Sequence, residues 1–478
     1  MGLVDTDLDT RIEGAGGIPA VSRASQDASG DVAQPGEALG SRAAVSERVE
    51  QTPIAVGLLG LGVVGSRVAR TLLEKGKGYG RSAGAPLALR RVLVRDAEKR
   101  RPLELDPGLL TTNPEDVIAD PEIAIVVEVM GGEQPAHDYI RRALASGRHV
   151  VTANKEVIAK HGPELLSLAH NRGVGLFFEA SVGSGIPLIA PLRRDLLANE
   201  ITCLKAIING TTNYILTCMS REGLDFEFAL AQAQQLGYAE PDPANDIQGI
   251  DAAYKLAILA SLAFHAPIPP QAVYREGIER LAPRDFRYAQ ELGYTIKLLA
   301  LGRREGAQVQ VRVHPVLLPQ EELLAKVDGV LNAVQIEGDL LGPVLFQGPG
   351  AGPLPTTSAI IADVLEAARS IIHGPSARPL DLAEEVSVTP ISQLVTRYYL
   401  RLTVADRPGV LAQIANILGD MGISIASVIQ KEAHESQQTA EIVIMTHPAQ
   451  EAAMGEALAL LKTLAVVVEV GNLLRVEG

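Results

Sequence analysis

The chain has 478 residues, 47% hydrophobic and 21% charged, and a net charge of −14. This length predicts two to four domains with ample core, and the acidic balance argues against a nucleic-acid partner, since no basic field would gather phosphates. No apolar run reaches the roughly 18 residues of a membrane span, and the two cysteines, Cys203 and Cys218, are too few for a disulfide framework and fit a cytoplasmic setting.

Residues 1–50 carry nine acidic and four basic residues, no aromatic residue and no lysine. Such a stretch buries too little surface to offset its ordering entropy, so a disordered tail is expected. It has no apolar signal core, its acidity does not suit a transit peptide, and "MGLVDT" matches only the bare myristoylation pattern.

"IAVGLLGLGVVGSRVARTLLEKG" (54–76) begins as a β-branched strand and turns helical at Gly65. Gly60, Gly62 and Gly65, with Val63 and Val64 between the last two, spell G-x-G-x-x-G. The first glycine permits a tight turn, the second lets backbone approach a pyrophosphate, and the third lets helix and strand pack closely. A lone G-x-G-x-x-G is weak, but here it ends a strand and opens an amphipathic helix. The second strand is expected at "LALRRVLVRD" (87–96). Asp96 stands where an acidic residue would grip the ribose of NAD(H), yet Arg95, Lys99, Arg100 and Arg101 surround it. Those cations suit a 2′-phosphate, so NADP(H) is favoured; a solvated basic loop is the competing reading.

Two further strands, "IAIVVEVM" (123–130) before Gly131-Gly132 and "RHVVTANK" (148–155), bring Thr152, Asn154 and Lys155 to a carboxyl end, where ligands of parallel sheets lie. "GLFFEASVGSGIPLIAPLRRDL" then reads as strand, glycine-rich turn and a helix from near Pro187. "EITCLKAIINGTTNYIL" (200–216) is a strand breaking at Asn209-Gly210 into a helix capped by Thr211 or Thr212. "FEFALAQAQQLG" is a helix stopped by Gly237.

There follows "GYAEPDPANDIQGIDAAYK" (237–255), with Glu240, Asp242, Asp246 and Asp251 ahead of Lys255. Pro241 and Pro243 forbid a helix through the first carboxylates, and the helix is expected to restart around Ile247. From Ile250 to Phe264 the strongly polar side chains are Asp251 and Lys255, stacked four apart on a helix otherwise apolar all round and so expected to be buried. A structural ion pair, a metal cage and an amine-binding pocket compete here. The spacing does not fit a calcium loop and no histidine is present for a transition metal, which leaves a carboxylate pocket for a substrate ammonium, with Lys255 acting further along the same molecule.

Past "GPGAGPLPTTSAIIADVLEAA" (348–368) and a Pro-containing linker, "RYYLRLTVADRPGVLAQIANILGDMGISIASVIQKE" begins a βαββαβ order. Its first strand ends at Asp406, its first helix opens at Pro408 and stops at Gly422, and its second helix starts from Pro448.

In this order and at these intervals "GLGVVG", "EVMGG", "TANK", "EASVGSGIP", "NGTTNYIL" and "GYAEPDPANDIQGIDAAYKLAILA" resemble homoserine dehydrogenases over roughly residues 53–375. That family reduces aspartate semialdehyde to homoserine with NAD(P)H, on the way to threonine, methionine and isoleucine. The resemblance implies that Glu240 and Asp246, with Tyr238 and Thr212 beside them, hold the amino-acid end of the substrate. Lys255, oriented by Asp251, would protonate the aldehyde oxygen, with Lys155 beside the reacting carbonyl; which lysine donates is left open. Two ammonium groups near one oxygen would lower each other's pKa. Gly60, Gly62, Val63, Val64, Gly65, Arg95, Thr152, Lys155, Gly348 and Gly350 would contact the cofactor. A sodium-type cation would sit on oxygens of Glu179, Val182, Ser184 and Ile186, mostly backbone carbonyls; Ser184 stands where the family usually has glycine or alanine.

The "D-R-P-G-V-L" stretch resembles ACT domains, which bind amino acids and regulate biosynthetic enzymes. It implies threonine as effector near Asp406, Gly409, Val410, Leu411, Gly422 and Ile423, against a purely dimerising role. A homodimer or homotetramer is expected either way. The expected architecture is therefore α/β. Residues 51–175, plus a return segment at 345–373, form a Rossmann-type NAD(P)-binding domain. Residues 176–344 form an α+β substrate and dimerisation domain, 374–396 a linker and 397–478 a C-terminal ACT domain. The rival readings are another NAD(P)-dependent amino-acid dehydrogenase and a non-enzymatic amino-acid sensor. An aspartate-semialdehyde dehydrogenase would need a cysteine nucleophile with a histidine base, and neither Cys203 nor Cys218 has a supporting motif. A fused aspartate kinase finds no room before residue 53.

Overall fold

The structure is a computed structural model that describes residues 52–101, 103–374, 382, 384–434 and 438–477. The tail expected at 1–50 and most of the linker around 375–383 lie outside the described residues. Two sheets organise the rest. The first is wholly parallel, in the order Leu110–Thr111, Leu87–Leu93, Ile54–Leu59, Ile123–Glu128, His149–Thr152, Leu176–Phe177. Its central strands are near-continuous apolar runs because helices cover both faces. With strands numbered along the chain the order is 3-2-1-4-5-6, that of a doubly wound dinucleotide-binding sheet. The order reverses between Ile54–Leu59 and Ile123–Glu128, so a ligand crevice opens beyond Leu59 and Glu128.

The helix Pro353–His373 returns to this sheet. Its Ile360, Ile361, Val364 and Ala367 share a core with Val56, Leu58, Val68 and Leu72, and Arg369 Nε donates to the Ser82 carbonyl at 2.7 Å. The helix of the glycine loop begins at Val63, two residues before the expected Gly65, and the strand expected to reach Asp96 stops at Leu93.

The second sheet is mixed and runs through two modules. Gly342–Pro349, Leu331–Gly338, Ile201–Ile207, Tyr294–Glu305 and Gln308–Pro319 are antiparallel neighbours. The helices Gly210–Glu222 and Ile250–Ala263 cover one face of them. Beyond Gln308–Pro319 the sheet continues into Val467–Val476, Val395–Ala405, Thr439–Thr446 and Ile425–His434. Together with the helices Val410–Asp420 and Glu451–Leu461 these four strands make the βαββαβ module. Its helices start later than expected: Gly409, left-handed at φ +87°, precedes the first, and Ala449–Gln450 pairs with Val395–Thr396 before the second.

The two parts of this sheet meet where Val316 and Leu317 pair with Arg475 and Val476. Buried ions lock the seam. Glu477 contacts Arg312 and lies 2.8 Å from Arg303, Arg401 Nε reaches Asp285 at 2.6 Å, and Arg475 reaches Glu276 at 2.9 Å. Among the described residues no helix is long and apolar enough to cross a membrane.

Candidate active site

The glycine loop closes as its spacing requires. Gly60 is left-handed at φ +103°, and an added Cβ on Gly65 would collide with the Gly60 carbonyl, so helix and strand touch there through bare backbone. At Gly62, the N-cap residue, a Cβ would meet nothing within 4 Å. The helix N-terminus therefore presents open backbone to an anion, and these residues fit a pyrophosphate. Asp96 Oδ1 is engaged with the amides of Glu98 (2.9 Å) and Lys99 (3.2 Å), while Arg95, Lys99 and Arg100 are exposed beside it.

Glu128 and Thr152 tie two strand ends together. Thr152 Oγ1 donates to Glu128 at 2.6 Å, Met130 N donates to Glu128 at 2.7 Å, and Asn154 N donates to Thr152 Oγ1 at 3.0 Å. Burial holds the Glu128 carboxyl above the usual range despite these donors. Thr152, expected at the cofactor, thus has a buried hydroxyl committed to bracing. Asn154 caps the helix Lys155–Arg172 through Val157 N (3.2 Å) and donates to the Gly132 carbonyl (2.7 Å), which fixes the base of Lys155.

Lys155 and Lys255 converge on one carboxylate. Asp251, 4% exposed, takes Lys155 on Oδ1 and Lys255 on Oδ2, the latter at 2.8 Å. Lys255 Nζ also donates to the Ile208 carbonyl at 2.8 Å. Burial opposes the charge of Asp251, but Lys255 and Lys155 overcome it and hold the carboxyl far below the usual range. Burial likewise opposes the charge of Lys155, and Asp251, Asp246 and Glu240 outweigh it, so its pKa lies above that of an ordinary lysine. The expectation that the two ammonium groups lower each other's pKa fails for Lys155, because three carboxylates face it and its side chain is still 43% exposed.

The helix bearing Asp251 and Lys255 begins at Ile250. A separate turn, Ala244–Ile247, carries Asp246, and Gly249 at φ +72° divides the two. That break corrects the single helix expected from Ile247. It lets Asp246 and Asp251 meet one residue from elsewhere: Asn209 Nδ2 donates to Asp246 at 2.7 Å and to Asp251 at 2.9 Å. Asn209 also caps the helix Gly210–Glu222 through Thr212 N at 2.9 Å, in place of the expected threonines. Sequence reading saw Asn209 only as a strand break, although Asn just before a helix is itself a capping signal. Thr212 is buried with its hydroxyl bonded to Asn209, Tyr238 packs on Tyr214 at 5.0 Å, and Glu240 is exposed at the rim.

The residues expected to hold a cation, Glu179, Val182, Ser184 and Ile186, are buried, while Gly185 and Pro187 of the same turn are exposed. Glu179 caps the short helix after it, accepting from Leu188 N (2.5 Å), Ile189 N (2.8 Å) and Ala190 N (2.7 Å), so its carboxylate is committed. Among the described residues the carbonyls of Val182, Ser184 and Ile186 accept no hydrogen bond. Uncommitted buried carbonyls suit a hard, weakly charged cation. Ser184 takes the left-handed conformation (φ 55°) that glycine would adopt freely, and its hydroxyl lies 2.7 Å from that of Thr356. Elsewhere His137, His161 and Glu164 have the spacing of metal ligands, but the imidazoles stack with centroids 4.0 Å apart, which directs their lone pairs side by side rather than at one point.

In the C-terminal module the structure does not bring the expected effector residues together. Asp406, Gly409, Val410 and Leu411 lie at one end of the helix Val410–Asp420, and Gly422 and Ile423 beyond the other. Eleven residues of α-helix span roughly 16 Å, more than one amino acid bridges.

A doubly wound sheet with an open glycine loop, and two lysines at one carboxylate beside its crevice, define an NAD(P)-dependent oxidoreductase. Comparison with known proteins narrows the class. The profile of the homoserine dehydrogenase NAD-binding domain matches residues 60–179, that of homoserine dehydrogenase residues 187–365, and that of the ACT domain residues 398–466. Homoserine dehydrogenase of Pseudomonas aeruginosa is 42% identical over 418 residues, 86% of this chain and 96% of that one. That of Bacillus subtilis is 38% identical over 426 residues, 89% and 98% of the two chains. The crystal structure of a homoserine dehydrogenase from Thiobacillus denitrificans superposes with a TM-score of 0.82 at 44% identity, covering 89% of this chain and 98% of that one. A hyperthermophilic archaeal homoserine dehydrogenase in complex with NADPH superposes with a TM-score of 0.56 at 30% identity, covering 66% of this chain and 98% of that one. The chain belongs to the homoserine dehydrogenase family.

Proposed function

We propose that this chain reduces L-aspartate 4-semialdehyde to L-homoserine with NADPH in preference to NADH, and that Lys255 is the proton donor. The observation that carries the reading is the shared carboxylate of Asp251. Two lysines on one aspartate leave one net positive charge where the carbonyl oxygen turns into an alkoxide, while Asp246 and Glu240 offer negative charge to the substrate ammonium. Bound NADPH supplies the hydride. Two of the three N–H groups of Lys255 are engaged by Asp251 and Ile208, which leaves one for the substrate oxygen. Lys155, held charged by the surrounding carboxylates, stabilises the developing negative charge. Asn209 positions Asp246 and Asp251. The basic turn Arg95–Arg101 supports the preference for a 2′-phosphate, since Asp96 is occupied by its own turn.

A monovalent cation on Glu179, Val182, Ser184 and Ile186 would rigidify the turn below this site. Threonine is proposed as effector, bound between the C-terminal modules of two copies, because one chain separates the two halves of that site. We read residues 51–175 with 345–373, 176–344 and 397–478 as the three functional units. The test is a steady-state assay with both dinucleotides, with and without threonine. NADPH should be oxidised only when aspartate semialdehyde is present, with a lower KM than NADH; oxidation indifferent to the aldehyde refutes the reading.

A further inference from the structure

Arg475 lies on the last strand of the ACT module, Val467–Val476, and its side chain is buried. Within the module it is gripped by both oxygens of Glu451. Its other bonds leave the module for one short segment of the substrate domain. Nη1 donates to Glu276 at 2.9 Å and Nη2 to the Tyr274 hydroxyl at 3.2 Å, with the Tyr274 ring centroid 5.2 Å from the guanidinium carbon.

Backbone ties that segment to the substrate site. Tyr274–Arg275 pairs with Arg312 and Val313, Glu276 N donates to the Val313 carbonyl at 2.8 Å, and Ile278 N donates to the Ile247 carbonyl at 3.0 Å. An added Cβ on Gly277 would lie 2.6 Å from the Ile247 carbonyl oxygen and 3.1 Å from Gln248 Cα, so the segment rests on this turn through bare backbone. Ile247 ends the short helix that carries Asp246. Asn209 holds the Asp246 side chain, and Ile278 holds the backbone beside it. The other seam ions end elsewhere: Arg303 and Arg312 on sheet strands, Asp285 on the helix Pro283–Glu291. Of these contacts, the one between Arg475 and Glu276 ends beside the turn that bears a substrate carboxylate.

We propose that Glu276, held by Arg475 of the ACT module, is a positioning residue for the substrate ammonium, a role that rests on the proposed reaction and deepens it. Glu276 fixes the segment 274–278, and Gly277 and Ile278 fix the turn that aims Asp246. Asp251 is fastened separately, by two lysines and by Asn209. Asp246 meets the ammonium in substrate and transition state alike, so misplacing it raises KM and spares kcat. The ACT module thereby has a physical path to substrate affinity.

The test is steady-state kinetics of the full chain on aspartate semialdehyde and on succinate semialdehyde, the same aldehyde acid without the α-amino group. The preference is read from Ki if the latter is not turned over. Wild type, Glu276→Ala and Glu276→Gln are compared. The alanine variant leaves Arg475 paired with Glu451, and the Glu276 side chain is 35% exposed, so the fold should survive. Wild type should favour aspartate semialdehyde at least about tenfold, the size of one charge-assisted hydrogen bond. Glu276→Ala should raise KM for aspartate semialdehyde about tenfold, with kcat, Kd for NADPH and the succinate semialdehyde constant each within about twofold. Glu276→Gln keeps an acceptor for Arg475 and should restore KM to within about threefold of wild type. Tyr274→Phe removes a hydroxyl from the same cluster, should move KM in the same direction, and stands in if the alanine variant does not fold. The proposal is overturned if both aldehydes suffer alike, if the preference does not change, if glutamine behaves as alanine, or if wild type shows no preference. A wild type that reduces neither aldehyde would sink the reaction itself, and this role with it.

Discussion

At the scale of single residues, the chemistry turns on the sharing of Asp251. Lys255→Ala removes the donor with its free N–H, so kcat should fall ~10²–10⁴-fold while NADPH still binds; near-wild-type turnover would refute the role. Asp251→Asn leaves two lysines facing an uncharged amide, and breaking a buried ion pair costs about 3–5 kcal/mol at neutral pH. The sign of the pH dependence follows from the depressed Asp251 carboxyl. Its stabilisation is present above the ordinary value near 3.8 and is lost as pH falls through its lower folded value. Denaturant unfolding of wild type and Asp251→Asn at several pH values should show a gap that narrows below about pH 4; a constant gap would remove Asp251 from the account. Asp251 and Lys255 were legible in the sequence as four-apart ions on an apolar helix. Asn209 and Glu128 were not, because each acts on residues distant in sequence: Asn209 on Asp246 and Asp251, Glu128 on Thr152.

At the scale of elements, the glycine loop separates packing from binding. Gly65→Ala drives a Cβ into the Gly60 carbonyl, and forcing atoms into such a contact costs about 1–3 kcal/mol, so Tm should fall. Gly62→Ala meets no protein atom, so Tm should hold while Kd for NADPH rises. If Gly65→Ala is as stable as wild type, the close strand–helix contact is not what that glycine serves. The loop was readable because three glycines, a β-branched run and a helix follow in unbroken local order. Helix starts were less so. Gly249 and Gly409 both carry left-handed turns, and the backbone sign at a glycine is fixed by what packs around it, here Val313 against Gly249.

At the scale of the molecule, the ACT module is continuous with the substrate sheet. Deleting 390–478 would strip Glu477 from Arg303 and Arg312, and Arg312 is only 3% exposed. The truncated chain should therefore lose stability outright, seen as a lower Tm without any threonine present, since the deletion also takes Tyr399, Val443, Met445, Leu474 and Val476 out of the core they share with the substrate domain. Unchanged Tm would mean the seam carries no load. Loss of threonine inhibition is accordingly better read from Asp406→Ala, which leaves the seam intact; the half-inhibitory threonine concentration should rise. A linker and a separate module were the expectation, and the sheet that joins them left no mark in the sequence, because Val316 and Leu317 pair with residues about 160 positions away.

By itself the sequence determined the elements with local signatures: the apolar parallel strands, the glycine loop, the βαββαβ order and the family to which these motifs belong. Those depend on the spacing of neighbours along the chain, which the sequence states directly. Only the tertiary structure decided that one aspartate serves two lysines, that Asn209 joins Asp246 to Asp251, that the two halves of the effector loop lie apart, and that Arg475 of the ACT module reaches the segment packed on the Asp246 turn. Each of these depends on the distance between residues far apart in the chain, and that distance is set by how the sheets and helices pack.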